Sequence, residues 1–486
     1  MTTDSLQRTS FPAEVPPTTA LMGKKIVSAD EAVADIQPKS SIAIAGFGVS
    51  HRFPSSLIQA VHASGVRDLC LVCNSPGGLG PATAQELIAA GQVSKLIACF
   101  SARPGMESPA ERAIAEGRME LELVPQGTLV ERMRAGGAGI AGVYTRAGVG
   151  TPIAEGKEVR SFDGSDYVLE RAITVDYALI RAERADRAGN VQFRGGSQNF
   201  NVSFAKAART TIAEVGEIVE VGELAPQDVD LPGVFVDRLV VRAPDRGPAP
   251  PAPSAKRRPS DSAREYHGKR ALARRDMARK AALLLPEPAY VNLGVGLPTL
   301  VSNYLQGRDI MLHAENGILG YAEQAEGDSV DLDVYNAGGE FVTLRSGAAF
   351  FDSVTSFEMA RSGRLDAVIL GAYQVDEDGN LANWATPSMT GGGIGGAMDL
   401  VAGNSTLMII TEHHDSKGGA KLVSRCTYPV TGVGCVDIVV TDLAVLRRGP
   451  GGFVLEEVAP GFSPEEVVDL TEMRIRISDE VTTMTL

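Results

Sequence analysis

"AYVNLGVGLPTLVSNYLQG" (residues 289–307) is an apolar run that ends in Gly294-x-Gly296 and leads into a segment with proline near its start and glycine at its end. That grammar predicts a strand, a tight turn and a helix. The first half of the chain carries a counterpart. "SIAIAGFG" (41–48) ends in Gly46-x-Gly48 and is followed by "FPSSLIQAVHASG" (53–65). The pairing continues outward from both stretches. "LCLVCNSPGGLG" (69–80) stands against "IMLHAENGILG" (310–320), each a short apolar strand entering a glycine-bearing turn. "ADRAGNVQF" (185–193) stands against "DEDGNLANW" (376–384), sharing Asp-x-x-Gly-Asn. Matched elements in one order point to an internal duplication.

Apolar runs such as "DAVILGAYQV" (366–375) alternate with helical stretches such as "ARRDMARKAALLL" (273–285) in both halves. The expected fold class is therefore α/β: two homologous open α/β domains with mainly parallel sheets covered by helices. Ligands of such sheets sit beyond the carboxyl ends of the strands. The glycine turns and Glu315 are all expected there.

At 486 residues the chain is long enough for more than one core. Residues 1–22 are polar and proline-bearing and read as a disordered tail. Residues 244–268, rich in proline, alanine, serine and basic side chains, read as a linker between domains at 23–243 and 269–486. The net charge of −14 argues against nucleic-acid binding. The absence of a long apolar run argues against a membrane span. Five sparse cysteines fit a reducing, cytoplasmic setting. The Cys70-x-x-Cys73 pair has no second ligand pair and reads as a buried strand.

Glu315 is the unusual residue. It is a lone carboxylate at the end of an apolar strand, followed at once by Asn316 and Gly317. "TGGGIGGAMDL" (390–400) is the other: so many glycines raise the entropic cost of ordering the loop, which close backbone approach to a ligand would offset. Gly46, Gly48, Gly294 and Gly296 lie where backbone amides can approach a phosphate or a flat ligand, although neither loop completes GxGxxG.

These motifs resemble those of the class I CoA-transferases, most closely the 3-oxoacid CoA-transferases with fused A and B subunits. The likeness rests on "LHAENGILG" (312–320), "VNLGVGLP" (291–298), "GNLANW" (379–384), "GGAMDLV" (395–401), "PQGTLVERMRAGGAGI" (125–140) and "ADRAGNVQFR" (185–194), in family order over nearly the whole chain. The resemblance implies that Glu315 is the nucleophile, that Asn74 and the backbone of Gly396 stabilise oxyanions, and that Gln126 lines the site. Gly46, Gly48, Gly294, Gly296, Gly395 and Asn316 are the candidates to contact the coenzyme. It further implies coenzyme A as substrate and covalent intermediate with no permanently bound cofactor, short-chain oxo acids as the other substrates, and a homo-oligomer. Succinyl-CoA and acetoacetate are the leading acid pair, with 3-oxoadipate or another short-chain acid as acceptor, or thioester hydrolysis by the same glutamate, as alternatives. The chain departs from the family where Gly339, Met389 and Gly392 replace lysines, and where Ala314 replaces the serine before the nucleophile.

"EHHDSKGG" (412–419) offers His413 and His414 as metal ligands. On a strand, adjacent side chains point to opposite faces, so no metal site is expected there. Trp384, the single tryptophan, reads as core or pocket wall.

Overall fold

The computed structural model describes residues 23–48, 52–78, 82–101, 107–242 and 263–486. The tail expected at 1–22, residue 243 at the end of the first expected domain and residues 244–262 of the expected linker lie outside the described residues. Residues 263–268, also read as linker, lead into structure: Glu265–Tyr266 pairs antiparallel with Lys269–Arg270. Tyr266 anchors this hairpin, buried and donating its hydroxyl to Asp442 at 3.0 Å.

The first half is built on a sheet whose main path is parallel throughout. Its order is Lys25–Ile26, Arg238–Val241, Ala208–Val219, Val175–Asp186, Ser41–Ile44, Leu69–Cys73, Val93–Ala98 and Glu120–Leu123. In the second half five strands are parallel: Ile310–Ala314, Ala289–Leu293, Ala367–Leu370, Thr406–Ile410 and Ile438–Val440. Antiparallel partners extend this sheet on both sides.

The duplicated strands occupy equivalent places. Ser41–Ile44 lies between the next strand in sequence and a later one, Val175–Asp186. Ala289–Leu293 likewise lies between the next strand and the later Ala367–Leu370. Each is a point where strand order reverses, which is where an open α/β sheet leaves a crevice. Gly46 and Gly294 begin the loops that leave these two strands, and Asn74 and Glu315 each follow the neighbouring strand.

The helices that follow differ. Ser55–Ser64 is an α-helix that buries Leu57, Ile58 and Val61 and ends on Gly65 at φ 70°. Leu297–Tyr304, expected to match it, is a 3₁₀-helix. Its hydroxyls explain the tighter turn: Thr299 donates to the Gly296 carbonyl at 2.6 Å and Ser302 to the Thr299 carbonyl at 2.8 Å, both three residues back.

The halves share one apolar core at their seam. Phe47 lies 6.3 Å, ring to ring, from both Phe200 and Tyr335. Phe357 and Val354 of the second half join the same cluster as Phe200 and Leu129 of the first. Among the described residues no helix is long and apolar enough to cross a membrane.

Candidate active site

The strand Ile310–Ala314 delivers Glu315 to a turn in which Gly317 donates its N–H to the Ala314 carbonyl at 3.0 Å. Gly317 has φ 110°, and a methyl group there would lie 2.0 Å from the Phe351 carbonyl oxygen. Only glycine fits that position, which accounts for the residue two places after Glu315. Asn316 is fully buried and donates to the Tyr335 carbonyl at 2.7 Å, pinning the turn from the other side.

Glu315 itself is 7% exposed and opens onto a cavity of about 310 Å³. Gly294, Gly395 and Gly396 share that cavity, with Phe100, Asn383, Thr411, Glu412 and Lys421. Burial pushes the Glu315 carboxyl up to about 7, against the opposing pull of its own backbone N–H and the Asn292 amide. Gly396 lies against the carboxyl: a methyl group on it would sit 3.5 Å from Glu315 Cδ and 3.0 Å from the Phe357 ring.

The glycine loop is stitched to the first half. Ser101 N–H donates to the Gly392 carbonyl at 2.9 Å, and Gly395 N–H to the Cys99 carbonyl at 3.3 Å. Gln126 N–H donates to the Gly395 carbonyl at 2.9 Å. Gln126 opens the helix Gln126–Gly137, while Gly396 caps the helix Ala397–Val401. Asp399 joins these two helix starts. Its carboxylate accepts from Gly127 N–H at 2.8 Å and Thr128 N–H at 3.3 Å, and Arg361 bridges it at 3.2 Å to Glu131 at 2.7 Å.

Asn74 reaches the same region indirectly. Its carbonyl accepts from Cys99 and Phe100, and its side-chain oxygen accepts from Gly48 N–H at 3.1 Å. Gly48 therefore holds Asn74 instead of lining the cavity, and Gly46, Gly296 and Asn316 also lie outside its wall. Four buried amides around the seam keep unspent hydrogen-bonding atoms: Asn74 Nδ2, both side-chain polar atoms of Gln126, Asn292 Oδ1 and Asn316 Oδ1. None of the four lies in the cavity wall itself: Asn74 and Gln126 meet it only through the backbone of Phe100 and Gly395.

None of the three positions where the resemblance implies lysine carries a cation. Gly339 takes φ 79° in a turn closed onto the Asn336 carbonyl, and any side chain at 392 would meet the Trp384 ring at 2.9 Å. Trp384 is thus a wall behind the glycine loop. The cation in the cavity is instead Lys421, which donates to Thr411 Oγ1 at 2.8 Å and the Ala372 carbonyl at 3.3 Å; burial lowers its pKa. Its signal lay just past the "EHHDSKGG" stretch. His413 and His414 follow the strand Thr406–Ile410, at a bend, with rings 5.6 Å apart. They do not point to opposite faces; instead His413 bonds Thr441 and Thr471, and His414 bonds the Leu470 carbonyl. Among the described residues no group of three or more His, Cys, Asp or Glu side chains is placed to hold a metal ion.

A duplicated α/β fold with a dry carboxylate at the seam of its halves defines a group-transfer enzyme. Residues 26–242 and 274–470 match the Coenzyme A transferase family, and the chain belongs to it as a fused, single-chain class I CoA-transferase. It is 38% identical over 479 residues to human succinyl-CoA:3-ketoacid coenzyme A transferase 2, mitochondrial, covering 93% of this chain and 90% of that one. It is 44% identical over 201 residues to one of the subunits of the 3-oxoadipate CoA-transferase of Pseudomonas putida, covering 41% of this chain and 94% of that polypeptide. The acyl-CoA transferase YdiF of Escherichia coli O157:H7, solved as a thioester complex with CoA, superposes with a TM-score of 0.77 at 22% identity, covering 95% of each chain; the fold is the same. The family carries a mechanism through a glutamyl-CoA intermediate, with coenzyme A as substrate.

The cytoplasmic setting expected from the cysteines is corrected by these relatives. The rat, mouse and human enzymes that match over nearly the whole chain are mitochondrial. Free thiols report a reducing compartment without saying which one.

Proposed function

We propose that the protein transfers CoA from succinyl-CoA to acetoacetate, with Glu315 as the acyl-carrying nucleophile. The observation that carries this reading is the Glu315 carboxyl, buried against Gly396 in the wall of the cavity that Gly294, Gly395 and Lys421 also line. The ionised carboxylate attacks the thioester carbonyl carbon. The C–S bond breaks, CoA leaves as thiolate, and a mixed anhydride remains. The thiolate then attacks the glutamyl carbonyl, expelling the donor acid and leaving a glutamyl-CoA thioester. The acceptor carboxylate repeats the two steps in reverse and restores Glu315. No net proton is exchanged.

Each step passes through a tetrahedral oxyanion. The Asn74 side-chain amide and the Gly396 backbone N–H supply the donors in this proposal, and Gln126 orients the acid. A preorganised donor of this kind is typically worth about 10²–10³ in rate. Lys421 and Thr411 offer polar anchors to the thioester arm within the same cavity. Gly294 and Gly395 let backbone approach it, while Gly46, Gly48, Gly296 and Asn316 act through the loops they shape.

The human succinyl-CoA:3-ketoacid transferase supports succinyl-CoA with a 3-keto acid, of which acetoacetate is the simplest stable choice, and the Pseudomonas 3-oxoadipate transferase favours 3-oxoadipate as the second acceptor to try. Initial rates with succinyl-CoA against varied acetoacetate should give parallel double-reciprocal lines. Intersecting lines would refute the ping-pong scheme. Faster turnover with 3-oxoadipate would reassign the acceptor, and thioester loss without any acceptor acid would reassign the reaction as hydrolysis. Self-association belongs to the same proposal: Val159, Phe162 and Val433 expose apolar surface, and light scattering should return a mass above one chain.

A further inference from the structure

Behind Glu315 runs a buried chain of three side chains that the transfer scheme leaves unused. Asn292 and His313 are register partners on adjacent parallel strands. Asn292 Nδ2 lies 3.0 Å from His313 Nδ1 and 3.2 Å from the His313 carbonyl, and His313 Nε2 lies 2.9 Å from Ser356 Oγ. All three residues are fully buried.

The partners fix the proton positions. An amide nitrogen only donates, so His313 Nδ1 carries the lone pair and Nε2 carries the proton, which it gives to Ser356. The ring is neutral: burial brings its pKa down to about 4, and it stacks on Phe351 with centroids 6.2 Å apart. Asn292 Nδ2 is held by the His313 ring and carbonyl while Oδ1 has no partner, and the donor end of the same amide is what works against the burial of the Glu315 carboxyl. Among the described residues no charged group shifts the His313 ring; burial and Ser356 are what act on it. The titratable groups around Glu315 include Tyr321, on which both Glu315 and Glu340 act, and Glu412 and Lys421 in the same cavity.

We propose that His313 is a positioning residue for the Glu315 nucleophile: accepting from Asn292 and donating to Ser356, it fixes which edge of the Asn292 amide meets the reacting carboxyl. The inference rests on the assignment of Glu315 above. A ring that could donate from Nδ1 would force the amide to turn, and an apolar side chain would leave it unheld. In either case the carboxylate would lose its aim as well as the amide that offsets its burial.

The test compares wild type, His313→Leu, His313→Gln and Ser356→Ala. The readout is the rate of CoA-adduct formation on Glu315 with succinyl-CoA alone, across about pH 6–9. His313→Leu should slow adduct formation at least about tenfold, with KM for succinyl-CoA held within about twofold. Its acid limb should move to higher pH, because the carboxylate loses the amide that works against desolvation. His313→Gln can accept from Asn292 and donate to Ser356, and should keep the wild-type limb with a rate within about threefold. Ser356→Ala gives a small-volume check in case the leucine variant does not fold, and should shift rate and limb in the same direction. A wild-type rate and limb in either His313→Leu or Ser356→Ala would overturn the inference. So would a glutamine variant as impaired as the leucine one. If wild type forms no adduct on Glu315, the nucleophile assignment falls, and this inference falls with it.

Discussion

Glu315→Gln removes an ionisation that the fold resists. The native carboxyl titrates near 7, against 4.5 for a free glutamate, because burial disfavours its charge. A raised carboxyl pKa stabilises the native state below about pH 4.5, and this contribution is lost as pH rises through 7. Across the gap between 4.5 and about 7 the native state gives up about 3 kcal/mol. Glutamine keeps the shape and never ionises. The variant should therefore gain stability over wild type as pH rises, by about 1 kcal/mol at pH 5 and about 3 kcal/mol at pH 8. Any fixed effect of the amide on packing cancels when the two pH values are compared. Urea-denaturation midpoints of both proteins over that range supply the measurement. A stability difference that stays flat between pH 5 and pH 8 would refute the claim that the carboxylate is held desolvated.

The same ionisation should govern turnover: log(kcat/KM) should fall on the acid side with an apparent pKa near 7, as the attacking form is the carboxylate; a limb near 4.5 would place Glu315 in water. Asp399→Ala should cost about 3 kcal/mol, because Arg361 and the Gly127 and Thr128 amides lose a buried acceptor. It should also lower kcat by separating Gln126 from Gly396; thermal unfolding and steady-state rates check both. Gly317→Ala should cost more than about 2 kcal/mol and abolish activity, since the added carbon meets the Phe351 carbonyl at 2.0 Å; a variant that melts and turns over like wild type would remove the account of this turn.

Period and punctuation made the two halves readable. Apolar runs ending in glycine mark both switch-point strands, and the shared Asp-x-x-Gly-Asn turns mark the duplication. Glu315 stood out because a charge between Ala314 and Asn316 at a strand end has no surface rationale. What stayed hidden was set by tertiary contact. Asn74 and Gln126 are ordinary amides in sequence, and only burial without partners distinguishes them. Lys421 followed a stretch dominated by two histidines, and its place in the cavity depends on Thr411 and Ala372 from the preceding strand and loop. Asp399 looked like a helix residue in an apolar run, yet its partners lie in the other half of the chain. The 3₁₀ geometry of Leu297–Tyr304 turned on hydroxyls that a hydrophobic pattern does not weigh.

The central claim is that one dry carboxyl becomes the acyl carrier. Incubating the protein with succinyl-CoA and no acceptor, then mapping the modified peptide by mass spectrometry, tests it directly. The account predicts a CoA-sized addition on Glu315 that acetoacetate discharges and that Glu315→Ala does not form. An addition on another residue, or none on a protein that still exchanges CoA, contradicts it.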